Sequence, residues 1–213
     1  MSRKVIFLIA AILILALPGA QAQKHSRFRY IGLDAGMTMA GIRSSADYVS
    51  HARNFGARAA LSGNYSLSNT KSAETALVFE QKGGADPVFD IATNLNYLTL
   101  PVYFKMVAGD DPQLFITAGA YASRLISASR KGVGFAEGRP DTVNEKVTAR
   151  FRPFDYGLMA GGGMMIRLYE NFDFIVTSGV SVGLLKIDDL PGRNPRNYNI
   201  NISAGYIYYI GIR

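Results

Sequence analysis

The chain has 213 residues, with 23 basic against 16 acidic side chains for a formal charge of +7, and it contains neither cysteine nor tryptophan. Without cysteine there is no disulfide framework and no thiol to carry a lipid. The basic residues stand singly among Tyr, Gly and Asn, with no clustered stripe or motif, so nucleic acid is not expected as a partner.

At the start, Arg3 and Lys4 precede the apolar run Val5 to Leu17, followed by Pro18-Gly19 and the small-residue site Ala20-Gln21-Ala22. This is the pattern of a secretory leader, with cleavage expected after Ala22. The run is shorter than the ~20 residues that a spanning helix requires. Residues 1–22 are therefore assigned to the leader, 23–29 to a short tail and 30–213 to one domain. No later stretch is apolar over 18 residues, which excludes a helical membrane protein but not a membrane barrel, whose strands only alternate.

Period-two alternation then returns eight times, over Tyr30–Met39, Asn54–Leu67, Ala73–Lys82, Leu95–Met106, Leu114–Arg124, Phe154–Leu168, Phe172–Lys186 and Tyr198–Ile212. In the second segment Phe55, Ala57, Ala59 and Leu61 oppose Asn54, Arg58 and Ser62, giving one apolar and one polar face. Each segment reaches the ~9–11 residues that cross a bilayer at a tilt, whereas soluble strands average about five or six. Short turns (Ser68-Asn69-Thr70, Gly109-Asp110-Asp111-Pro112, Tyr169-Glu170-Asn171) alternate with longer connections, the longest being Leu125 to Pro153. That is the asymmetry of outer-membrane barrels. Tyr30, Phe79, Tyr97, Phe104, Phe115, Phe154, Tyr156, Phe172, Phe174, Tyr198 and Tyr208 fall mostly near strand ends, where interfacial girdles sit.

The expected fold is all-β: an eight-stranded, antiparallel up-and-down transmembrane β-barrel in the outer membrane of a Gram-negative bacterium. Its rival is a soluble lipocalin-type barrel with apolar residues pointing inward.

The segment Tyr97-Leu98-Thr99-Leu100-Pro101-Val102-Tyr103-Phe104-Lys105 resembles the Y-L-E-I-P-L-L-L-K strand of the porin-like, PorT-type outer-membrane β-barrel domains of Bacteroidetes. Ala118-Gly119-Ala120-Tyr121 and Asp155-Tyr156-Gly157-Leu158, leading into Gly161-Gly162-Gly163, extend the resemblance. It implies an eight-stranded outer-membrane barrel and little about activity. Thr99 stands where the family strand carries an acid, so no role for that carboxylate transfers. The sequence closes on Gly211-Ile212-Arg213 in place of a terminal aromatic.

Motifs for chemistry are sparse. Gly161-Gly162-Gly163 lacks the spacing of a phosphate loop and is expected to relieve crowding or allow curvature. His25 and His51 have no ligand-spaced partners, so no metal or other cofactor is expected. Ser50, His51 and Asp47 are neighbours in a polar loop, which does not make a triad, and Asp110-Asp111 is turn chemistry. No enzymatic activity is expected.

Parity instead places Arg58, Glu74, Glu80, Lys105, Asp155, Arg167 and Asp173 inside the barrel, since a cation facing lipid at mid-depth costs roughly 2–4 kcal/mol. Hairpin registers pair Arg58 with Glu80, Lys105 with Glu74, and Arg167 with Asp173. The expected molecule is a monomer inserted by barrel assembly machinery into outer-membrane lipid. Its lumen is largely closed, and long outer loops carry a structural, adhesive or binding role. A narrow channel for small solutes is the alternative.

Overall fold

A computed structural model describes residues 28–43, 54–86, 91–136, 139–188 and 194–210. The expected leader, His25, the Asp47–Ser50–His51 group and the final tripeptide lie outside the described residues. Nine strands are present among them: β1 (Phe28–Arg43), β2 (Asn54–Ser66), β3 (Lys71–Asp86), β4 (Ile91–Ala108), β5 (Gln113–Ala136), β6 (Arg139–Lys146), β7 (Phe154–Tyr169), β8 (Phe172–Gly183) and β9 (Arg196–Tyr209). All pairings are antiparallel. The order β4-β3-β2-β1-β9-β8-β7-β5, joined on itself by β4 and β5, closes an eight-stranded barrel that leaves β6 outside the ring.

The alternation seen in the sequence becomes an inside-out burial pattern. Along β4, Tyr97, Thr99, Pro101 and Lys105 are buried while Leu98, Leu100, Val102 and Phe104 are exposed. Leu33 and Ile116 are each 64% exposed on the outer wall, whereas Lys82 and Lys105 keep only 1% inside. Such a distribution is unstable in water, which rewards apolar burial, and is the stable one in hydrocarbon. The soluble-barrel alternative is thereby overturned. No described helix is long and apolar enough to cross a membrane.

The connection Leu125–Pro153, expected to be a loop, is largely strand. β5 runs for 24 residues, far beyond membrane thickness. It pairs with β7 only up to Arg124, opposite Phe154, and from Ser129 onward β6 takes the place of β7. Between them a bulge intervenes: Tyr97 pairs with Leu125 but Asn96 pairs with Ser127, so Ile126 is the extra residue. The bulge inverts facing, placing Leu125 and Ala128 inside and Ile126 outside. β3, β4, β5 and β6 thus continue past the barrel as a four-stranded sheet. β8, conversely, ends at Gly183, three residues before the expected Lys186.

Above the barrel mouth, Val147 and Ile187 are buried against Leu95, Tyr97, Leu125 and Ala128. The segments carrying them are tied down by backbone bonds from Val147 to Ala128 (2.9 Å), from Arg152 to Ile187 (2.8 Å) and from Ile187 to Pro195 (2.9 Å). These apolar side chains lid the end of the barrel opposite the short turns.

Candidate functional site in the barrel lumen

Inward positions on neighbouring strands stack their side chains into two polar clusters. In the half nearer the short turns, the Tyr30 hydroxyl donates to Glu74 Oε2 (2.5 Å) and accepts from Lys105 Nζ (2.6 Å). Lys105 Nζ also lies 3.2 Å from Glu74 Oε2, and Asn64 Nδ2 donates to the same oxygen at 3.3 Å. The ammonium sits 4.0 Å from the centre of the Phe115 ring. A buried cation is tolerable here because a carboxylate, a hydroxyl and a ring face all meet it.

In the half nearer the lid, Glu80 accepts from Thr99 Oγ1 (2.7 Å) and Asn199 Nδ2 (3.2 Å), and Asp155 Oδ2 accepts from Tyr121 Oη (3.2 Å) and Asn197 Nδ2 (3.0 Å). Lys82 Nζ lies between the two acids, 3.1 Å from Glu80 and 3.6 Å from Asp155. It is also 4.3 Å from the centre of the Tyr121 ring. Its approach to Glu80 is close but poorly aligned for a hydrogen bond, so charge and ring faces hold it. Thr99 on β4 thus donates to a carboxylate from the neighbouring β3.

Of the three expected ion pairs, Lys105 and Glu74 are brought together. Arg58 and Glu80 are cross-strand partners in register, yet the Arg58 guanidinium turns the other way to bond Asp34 on β1 and the Ser203 hydroxyl (3.0 Å). Glu80 is instead engaged by Lys82. Arg167 and Asp173 are also register partners, but the Arg167 side chain is exposed at the rim while Asp173 is buried and accepts from the Tyr209 hydroxyl at 3.0 Å. Asp34 and Lys82 were missed although parity could have found them: Lys82 lies two residues beyond Glu80, and Asp34 shares the face of Tyr30 and Thr38.

The glycine run 161–163 makes room. A Cβ at Gly163 would lie 2.7 Å from the Phe115 ring and 1.9 Å from the Val176 carbonyl oxygen. Near Gly161 lies a cavity of about 60 Å³ bounded by Asp34, Arg58, Lys105, Thr177 and Asn201. A second, of about 40 Å³, lies toward the short turns beside Asn64, Lys105 and Tyr209. Lys105 borders both. Volumes of this order hold a few waters each. Among the described residues no group of three or more His, Cys, Asp or Glu is placed to hold a metal ion.

Closed up-and-down topology, an apolar outer wall and a charged interior define a membrane barrel, and comparison with known proteins agrees. The family model described as outer membrane protein beta-barrel domain matches residues 21–189. The chain belongs to this outer-membrane β-barrel family. It is therefore a protein of the Gram-negative outer membrane. The match stops before β9, the strand that closes the ring against β1.

Among solved structures, the Neisserial surface protein A (NspA) aligns with a TM-score of 0.51 at 15% identity, covering 84% of this chain and 97% of that one. OprG from Pseudomonas aeruginosa aligns at 0.49 and 12% identity, covering 87% and 97%. Ail, the attachment invasion locus protein of Yersinia pestis, solved with the heparin analogue sucrose octasulfate, gives 0.46 and 14%, covering 84% and 99%. At these identities the likeness speaks for the fold alone. No curated protein matches the chain.

Proposed function

We propose that this member of the outer-membrane barrel family is a closed-lumen anchor that displays the β5–β6 hairpin and the neighbouring outer connections as an adhesive or binding surface. The observation that carries this reading is the division of labour along β5. Its first half is wall around a filled lumen, and its second half leaves the barrel as strand, stiffer than a loop. Removal of the leader after Ala22, insertion by barrel assembly machinery, a monomeric state and a PorT-type affinity through Tyr97–Lys105 belong to the same proposal; catalysis does not.

The test joins Lys131 to Asn144, which are Cα partners, through an Asn-Gly turn in place of the hairpin tip. The shortened barrel should still migrate as a heat-modifiable folded species, while cells bearing it lose attachment to matrix-coated surfaces. Attachment equal to that of the full-length protein refutes the reading.

Orientation is tested separately. Single cysteines at Glu145 and Asn194, both exposed at the lidded end, should react with an impermeant maleimide in intact cells. Asn69→Cys, in a short turn, should react only after lysis. The natural chain has no thiol to confuse the signal. Equal labelling of all three sites would reverse or abolish the assigned topology.

A narrow channel is the second reading, favoured by the two lumenal cavities. Purified protein in planar bilayers distinguishes the two: the anchor gives no regular conductance steps, and the channel does. Any such steps should be cation-selective, because Asp34, Glu74, Glu80, Asp155 and Asp173 outnumber Arg58, Lys82 and Lys105 among the lumenal charges.

A further inference from the structure

At the outer end of the β1–β9 seam the apolar wall gives way to a cationic patch. The outward-facing series of β9 runs Tyr208, Tyr206, Ala204, Ile202, Ile200, Tyr198 and then Arg196. That of β1 runs Ile31, Leu33, Ala35, Met37, Met39, Gly41 and then Arg43. Arg43 and Arg196 are exposed and are direct Cα partners.

Two like charges facing each other across a ladder repel, since directly opposed Cβ atoms stand about 4.5–5.5 Å apart. Neither arginine forms an ion pair with a described residue. A third exposed cation, Lys186, adjoins them, because the next residue, Ile187, donates its backbone N–H to Pro195 at 2.9 Å. The acid nearest in sequence, Asp188, buries its Oδ1.

Directly below the arginines, the Tyr198 ring lies across Gly41. A Cβ on Gly41 would fall 2.4 Å from Tyr198 Cε1, so only glycine lets the ring lie flat on the sheet. The patch is therefore two guanidiniums above an aromatic floor. It faces sideways into the lipid, on the same side of the wall as Ile202 and Leu33.

We propose that Arg43 and Arg196, with Lys186, bind the phosphorylated sugar headgroup of a glycolipid in the outer leaflet. Guanidinium pairs match phosphate geometry with paired N–H donors. The lateral aim of the patch, continuous with the lipid-facing wall, favours a membrane lipid over a soluble polyanion, which would approach from above. This contact is separate from the hairpin surface and survives if that reading fails.

The test uses the full barrel in detergent micelles, with bound lipid measured by native mass spectrometry and bisphosphorylated lipid A as the probe. Arg43→Gln/Arg196→Gln should bind roughly thirtyfold more weakly, taking about 1 kcal/mol per cation near a charged membrane surface. Lipid A stripped of its phosphates should bind the unaltered protein just as weakly. Lys71→Gln, which removes an exposed cation at the opposite end of the barrel, should change nothing, and Arg43→Lys/Arg196→Lys should keep most of the binding.

Should the double Gln variant fail to assemble, Lys186→Gln, outside the strands, serves in its place with a loss of about fivefold. Unchanged binding by the Gln variants, or equal binding of the dephosphorylated lipid, overturns the proposal. So does inorganic pyrophosphate binding as tightly as the lipid, which indicates a free-anion site. Capture of a sulfated polysaccharide with no capture of lipid A likewise overturns it, in favour of a soluble ligand.

Discussion

Lys105→Met should lower the unfolding free energy of the barrel by about 3–5 kcal/mol, the range for removing one partner of a buried pair. Methionine fills much of the same volume beside Phe115, so the loss is electrostatic. Glu74 would keep its bonds from Tyr30 and Asn64 but have no cation within reach. Adding Glu74→Gln should recover a large part of the loss, since the stranded charge is then removed as well. Urea titration of protein folded into lipid vesicles, followed by heat-modifiable migration, measures both. A single variant within about 0.5 kcal/mol of the parent, inside ordinary surface-substitution scatter, would falsify the view that the lumenal ions hold the barrel shut.

Ala204→Arg is expected to cost about 2–4 kcal/mol and to reduce the amount of assembled barrel, because it places a cation on the lipid face near mid-depth. Ala204 is exposed, with Ala35 and Val176 as its Cα partners and Ile202 and Tyr206 beside it on the same face. The control is Ser203→Thr, one residue away but inward. It retains the hydroxyl that accepts from Arg58 and lies 2.6 Å from Thr177 Oγ1. Normal assembly of Ala204→Arg, quantified in outer-membrane fractions, contradicts the facing assignment.

All eight wall strands were legible because the membrane enforces two conditions at once, strict alternation and a minimum length. What escaped lay where one of those conditions lapses. At Ile126 the bulge reverses the alternation, so the outer half of β5 and the strand β6 read as loop. In the lumen, parity identified most of the interior charges and the registers of Arg58 with Glu80 and of Arg167 with Asp173. Parity does not say which way a long side chain leans, however. Arg58 reaches diagonally to Asp34 on β1, and Glu80 is taken by its own strand neighbour Lys82. Glu80→Ala therefore takes one of the two carboxylates from Lys82, which keeps Asp155, and leaves the Arg58–Asp34 pair in place. A register irregularity between Arg167 and Tyr169 coincides with the separation of the third pair. The cationic seam is not legible in the sequence for a different reason: Arg43 and Arg196 are 153 positions apart, and only closure of the ring makes them neighbours.

That closure has a kinetic side. β9 joins β1 across the longest chain separation in the molecule, and it carries Asn197, Asn199 and Ser203, which bond Tyr97 on β4, Glu80 on β3 and Arg58 on β2. None of these bonds can form until β9 has joined β1, because each spans the seam between them. Local hairpins such as β2–β3 and β7–β8 bring together residues only a few positions apart and require far less loop ordering. The lumenal bonds carried by β9 thus act as a latch that is set only once β9 meets β1. Asn199→Ala should leave hairpin formation at its normal pace, retard the final closing phase, and let the native barrel open sooner than it otherwise would.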